Sequence, residues 1–68
     1  MMKLIEYSNR KDTEYIIAGI VDEDFILMGF TVADRNLERA TQKNFRTAER
    51  AMKWAENNYK VVIGWLTH

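Results

Sequence analysis

A chain of 68 residues has room for one domain and one core, and its ten basic and ten acidic side chains cancel to zero net charge at pH 7. It has no cysteine and one histidine, His68, which excludes disulfides, thiolate zinc sites, thiol nucleophiles and an imidazole-built metal centre. A domain this small buries only about 60% of the surface its unfolded chain exposes, so with those staples excluded oligomerisation is the expected source of extra stability.

The start, Met1-Met2-Lys3-Leu4-Ile5-Glu6, has no apolar run of signal-peptide length. Residues 3–8 have the composition of a short strand, and Asn9-Arg10-Lys11-Asp12 that of a polar turn. Glu14 to Val21, rich in isoleucine, tyrosine and valine, predicts a second strand. Asp22-Glu23-Asp24 breaks it, and Phe25 to Val32 forms the third, completing a hairpin. The longest near-apolar run, Ile16 to Val21, is far short of the ~18 residues a membrane span requires. The expected location is cytoplasmic, in keeping with the absence of cysteine.

With the three acids as the loop, Val21 faces Phe25 across the hairpin. Ile16, Ala18, Ile20, Ile26, Met28, Phe30 and Val32 then share one wholly apolar face, the predicted core. Tyr15, Ile17, Gly19, Val21, Phe25, Leu27, Gly29 and Thr31 share the other. There Gly19 and Gly29 leave a shallow depression bounded by Tyr15, Ile17 and Leu27.

Asp34-Arg35-Asn36 has the composition of a turn. Leu37 to Phe45 predicts a polar edge strand or a loop. The alternative is the first half of a long helix, because Thr41, Phe45, Ala48, Met52, Ala55 and Tyr59 follow a 4-3-4-3-4 spacing. Thr47 favours the later start: it suits an N-cap, Glu49 lies in the first turn, and Phe45 can pack back on the helix. The predicted helix is 48–58, with Ala48, Ala51, Met52 and Ala55 inward and Trp54 about 120° round from them. Asn57-Asn58 supplies its C-cap. Lys60 to Thr67 predicts a closing strand, with Val61, Ile63 and Trp65 on one side and Val62 and Leu66 on the other. The expected fold is α+β, a single domain over 1–68: an antiparallel sheet of four to five strands with one helix packed on one face.

No residue set assembles a reactive centre. Asp22, Glu23 and Asp24 occupy a hairpin tip, where acids are solvated, and they lack the D-x-D-x-D-G spacing of a calcium loop. Ser8, Thr13, Thr31, Thr41, Thr47 and Thr67 have no internal histidine to activate them, and no G-x-S-x-G elbow is present. Gly19, Gly29 and Gly64 are too dispersed to cradle a phosphate. The expectation is a non-enzyme with no cofactor and no metal.

Charge and coverage point instead to surfaces. Residues 1–34 hold three basic and seven acidic side chains, and residues 35–68 hold seven basic and three acidic. Arg35, Arg39 and Lys43 share one side of the predicted edge strand, and Arg46, Arg50 and Lys53 follow on the helix flank. Together they form a candidate nucleic-acid contact. Stacking aromatics are not interleaved with them, Glu38, Glu49 and Glu56 dilute them, and basic residues on an edge strand also discourage edge pairing. A helix of about eleven residues spans only ~16 Å and covers one sheet face. The uncovered face carries Tyr15, Ile17, Phe25 and Leu27, and with Trp54 as a flanking anchor these form the candidate protein interface. The leading expectation is a small non-enzymatic protein-binding or regulatory protein, as a homodimer or a partner-bound subunit. The alternative is a nucleic-acid-binding accessory protein using the basic 35–53 surface.

Phe45-Arg46-Thr47-Ala48-Glu49-Arg50-Ala51-Met52-Lys53-Trp54-Ala55 reads F-x-T-x-x-x-A-x-x-W-A. This resembles the sheet-into-helix segment of many small phage and prophage proteins of unknown function. It is also similar to the last strand and helix of the arm-site DNA-binding module of phage-type integrases. The likeness covers about residues 25–57 and rests on Phe45, Thr47, Ala51 and Trp54. What it implies is a mobile-element origin. Physically the motif requires a staple, a cap, a small residue against the sheet and a covering ring.

Overall fold

Three strands, β1 (Lys3–Asn9), β2 (Tyr15–Val21) and β3 (Leu27–Asp34), pair antiparallel in chain order, and two helices follow, α1 (Ala48–Asn57) and α2 (Tyr59–Leu66). The computed structural model describes residues 2–9 and 13–66. The predicted turn residues 10–12 and Thr67 of the predicted closing strand lie outside the described residues. The class is α+β with an antiparallel sheet, as expected. Among the described residues the sheet has three strands rather than four or five, and the helices number two rather than one.

β2 lies in the middle and is buried along its whole length. Its run of β-branched and aromatic side chains suits a strand covered on both faces. Those faces are the reverse of the expected ones. The hairpin loop is longer than three acids, because Val21 pairs with Leu27 rather than Phe25. That change alone would preserve the predicted faces. At the next step, however, Ile20 pairs with Gly29, so Met28 is an extra residue without a partner. One unpaired residue exchanges every side chain beyond it between the two faces. Ile17 therefore pairs with Val32 and Gly19 with Phe30, while Ile16 pairs with Ala33 and Ala18 with Thr31.

The first of these faces carries the main core. Tyr15, Ile17, Phe30 and Val32 pack with Ala51 and Ala55 of α1 and with Val62 and Leu66 of α2. Ala51 and Ala55 are fully buried, and their small side chains let α1 sit close on the sheet. On the opposite face Ile16, Ala18 and Ala33 form a smaller cluster under Leu4 and Leu37.

Residues 35–45 connect the two faces. The Asp34 carboxylate accepts from the N–H groups of Glu38 and Arg39, and the Leu37 N–H donates to the Asp34 carbonyl. This turn holds Leu37 at φ 59°, a conformation unfavourable for a branched residue, and aims its side chain at the smaller cluster. The chain then runs along the outer edge of β3, with antiparallel bridges at Ala33–Ala40 and Phe30–Phe45. The segment is thus an interrupted edge, between the strand and the loop that its polar sequence allowed, and not the first half of a helix. Thr31, buried, fastens it: its hydroxyl donates to the Lys43 carbonyl at 2.7 Å and lies 3.2 Å from the Thr41 hydroxyl.

α1 starts where its cap requires. The Thr47 hydroxyl accepts from the Arg50 N–H, and Glu49 lies in the first turn. Asn58 closes the helix differently from expectation. Its φ is −127°, outside the left-handed region, and its side-chain amide donates to the Trp54 carbonyl at 2.9 Å. The predicted closing strand over 60–67 is instead α2. A short apolar run fits either period: Val62 and Leu66 recur at helical spacing and are buried, while Tyr59 packs against Tyr15. The outer edge of β3 is already taken by residues 39–45, so a returning strand finds no place beside it.

Candidate interaction surfaces

Two surfaces emerge, one at the loop end of the hairpin and one along the flank of the helices. At the first, four consecutive apolar residues, Phe25, Ile26, Leu27 and Met28, are all exposed, joined by Met2 and Ile5. Their position follows from the loop. The Asp22 carboxylate accepts from the N–H groups of Asp24 and Ile26, and its carbonyl accepts from the Phe25 N–H. The Asp22 N–H in turn donates to the Ile26 carbonyl. This ring of bonds holds Phe25 at φ 60°, and the residue is 64% exposed. Lys3 lies over that ring, its Nζ 5.2 Å from the centroid.

Leu27 and Ile5 extend the patch onto the sheet, where both reach over Gly19. A Cβ there would come within 3.0 Å of Leu27 and 3.3 Å of Ile5. The depression expected between two glycines is therefore absent. Gly19 and Gly29 face opposite sides, the first filled by these two side chains and the second closed by the Phe45 carbonyl.

The predicted interface residues separate accordingly. Phe25 and Leu27 are exposed, as a docking role requires. Tyr15 and Ile17, 3% and 1% exposed, are core residues beneath the helices and are not available to a partner. The exchange of faces at Met28 is the reason. Ile26 and Met28 move the other way: assigned to the core by alternation, each is 58% exposed. Their nearness to the acidic tip was the signal available in the sequence, since loop bonding of Asp22 draws the following residues out of the ladder.

On the helix flank Trp54 is half-buried at the margin of the core, as its angular position on the helix requires. Its ring lies 5.8 Å from that of Phe45 and 6.2 Å from that of Trp65, and Lys43 Nζ is 5.9 Å from its centroid. Aromatic groups, missing from the basic run in the sequence, thus reach it through the fold. Nothing in the sequence marks Trp65 as a partner of Trp54, because the run around it reads equally well as a strand.

The six basic residues do not act as one patch. Arg35 is committed to the other end of the molecule, where its guanidinium donates from Nε to the Thr13 carbonyl at 2.8 Å and also from Nη2. Arg39 sits in the turn after β3. Lys53 follows Glu49 by four residues and precedes Glu56 by three, placing acids on either side of it. Lys43, over the Trp54 ring, remains exposed, as do Arg46 and Arg50 at the start of α1.

Among the described residues no group of acidic or imidazole side chains converges as a metal site. No helix among them is long and apolar enough to cross a membrane. No protein-family model, curated protein or solved structure matches this chain.

Proposed function

We propose that this chain is a small non-enzymatic protein-binding module whose first partner is a second copy of itself, joined through the exposed loop end of the hairpin. The observation behind this reading is Phe25. A non-glycine residue in the left-handed region costs on the order of 1 kcal/mol, and here that backbone holds an aromatic ring out in water. Backbone N–H groups donating to one carboxylate enforce the arrangement, so the ring is presented rather than frayed. Phe25, Ile26, Leu27 and Met28, with Met2 and Ile5, make an apolar surface of the kind soluble monomers seldom leave bare. A domain with no disulfide gains stability when that surface is covered.

Sedimentation velocity over a concentration series tests it. The expected result is a concentration-dependent dimer that the double change Phe25→Ser and Met28→Ser converts to monomer, with the circular dichroism spectrum retained. A wild-type chain that stays monomeric at the highest concentrations would remove self-association, and the patch would then need a different protein to cover it.

A further inference from the structure

The chain's only two tryptophans, Trp54 and Trp65, lie side by side although they belong to different helices. Their centroids are 6.2 Å apart and their planes differ by 35°, a tilted ring contact. Phe45 makes a tilted contact with Trp54, and Trp65 is the more exposed tryptophan, at 46%. Arg50 precedes Trp54 by four residues and so lies in the same row of α1, and Arg46, exposed, follows Phe45 in the extended segment ahead of the cap. Lys43 approaches the same ring from the edge segment. Glu49 and Glu56 lie about 100° or more round the helix from Arg50 and from Trp54, on the side of Lys53. Lys43 thus approaches Trp54 directly, Arg50 shares its row with no acid in it, and Arg46 adjoins Phe45 in the chain.

We propose that this flank binds single-stranded nucleic acid, with Trp65 stacking on a base and Lys43, Arg46 and Arg50 meeting the neighbouring phosphates. Single strands offer accessible base faces at regular intervals between negative charges, which is the pattern these side chains complement. A duplex hides its base faces and leaves only the phosphates to contact. The chain has no net charge to attract a polyanion from a distance, so the interaction is local, weak and easily screened by salt. No residue of the hairpin-end patch takes part, so this proposal and self-association stand or fall separately.

Because both tryptophans lie in the proposed site, their fluorescence reports its occupancy. Full-length protein titrated with an oligothymidylate of about twelve nucleotides at about 20 mM salt is expected to show quenching. Affinity should fall with a log–log salt slope near −2, from about 0.7 per phosphate neutralised. Trp65→Ala should weaken binding roughly five- to a hundredfold, measured by anisotropy of a labelled oligonucleotide, while Trp65→Phe retains most of it. Arg50→Ala should reduce the slope by about 0.7. Absence of quenching at low salt, or unchanged binding by Trp65→Ala, would overturn the proposal. So would a duplex of equal length binding as tightly. An oligoglutamate peptide that quenches equally would assign the surface to an acidic protein and equally overturn it.

Discussion

Thr31 shows how much a single hydroxyl can organise. It is buried on the face opposite the helices, where it ties the Lys43 carbonyl and the Thr41 hydroxyl to β3. Thr31→Val keeps the shape but leaves that carbonyl without its donor, at an expected cost of about 1–3 kcal/mol in urea unfolding. Thr31→Ser, which keeps the hydroxyl, should recover much of this loss; equal losses for both would assign the effect to packing. Gly29 makes the complementary point about space. An added Cβ would lie 3.1 Å from the Phe45 carbonyl, a backbone atom with little freedom to yield. Gly29→Ala should therefore destabilise the edge, whereas at Gly19 the nearest atoms belong to the flexible side chains of Leu27 and Ile5.

At the scale of elements, α1 and α2 differ in how far their sequences specify them. α1 carries its own start signal, and Thr47→Ala should lower stability by about 1 kcal/mol through loss of the bond to the Arg50 N–H. Its inward alanines and flanking tryptophan are also where helical spacing placed them. α2 has no such signature, since Val61 to Leu66 satisfies both periods, and its β-branched residues favour the strand that was expected. Gly64 distinguishes the two outcomes. It lies within α2 with nothing within 4 Å of an added Cβ. Gly64→Ala should raise stability by roughly 0.5–1 kcal/mol and increase the helical signal in circular dichroism. A loss of stability would count against α2.

For the whole molecule, coverage decides what is left over. Expectation put one helix over one sheet face and left the other bare. Two helices cover the face bearing Tyr15 and Ile17, and Leu37 with Leu4 packs on the opposite cluster. Of the four sheet residues expected on the bare face, the two at the loop end are the exposed ones, so Phe25 and Leu27 stay candidates while Tyr15 and Ile17 do not. If self-association stabilises the fold there, the thermal midpoint should rise with protein concentration. In the double change Phe25→Ser and Met28→Ser it should become independent of concentration, as measured by a melting series across a hundredfold range.

The sequence by itself determined the features that act over a few residues. These are the strand-forming runs and the acidic break between them, the turn after Asp34, the cap at Thr47 and the inward alanines of α1. Such features depend on local sterics, capping bonds and periodicity, all of which are written into neighbouring residues. Only the tertiary structure decided which side of each strand faces the helices, because one unpaired residue, Met28, exchanges the faces and alternation is blind to it. It alone decided that residues 59–66 are helical, because a run that fits both periods takes the one that buries Val62 and Leu66 in the core with α1. The meeting of Trp54 with Trp65 and Lys43 is decided there too, as the joint result of that helix and the edge segment along β3.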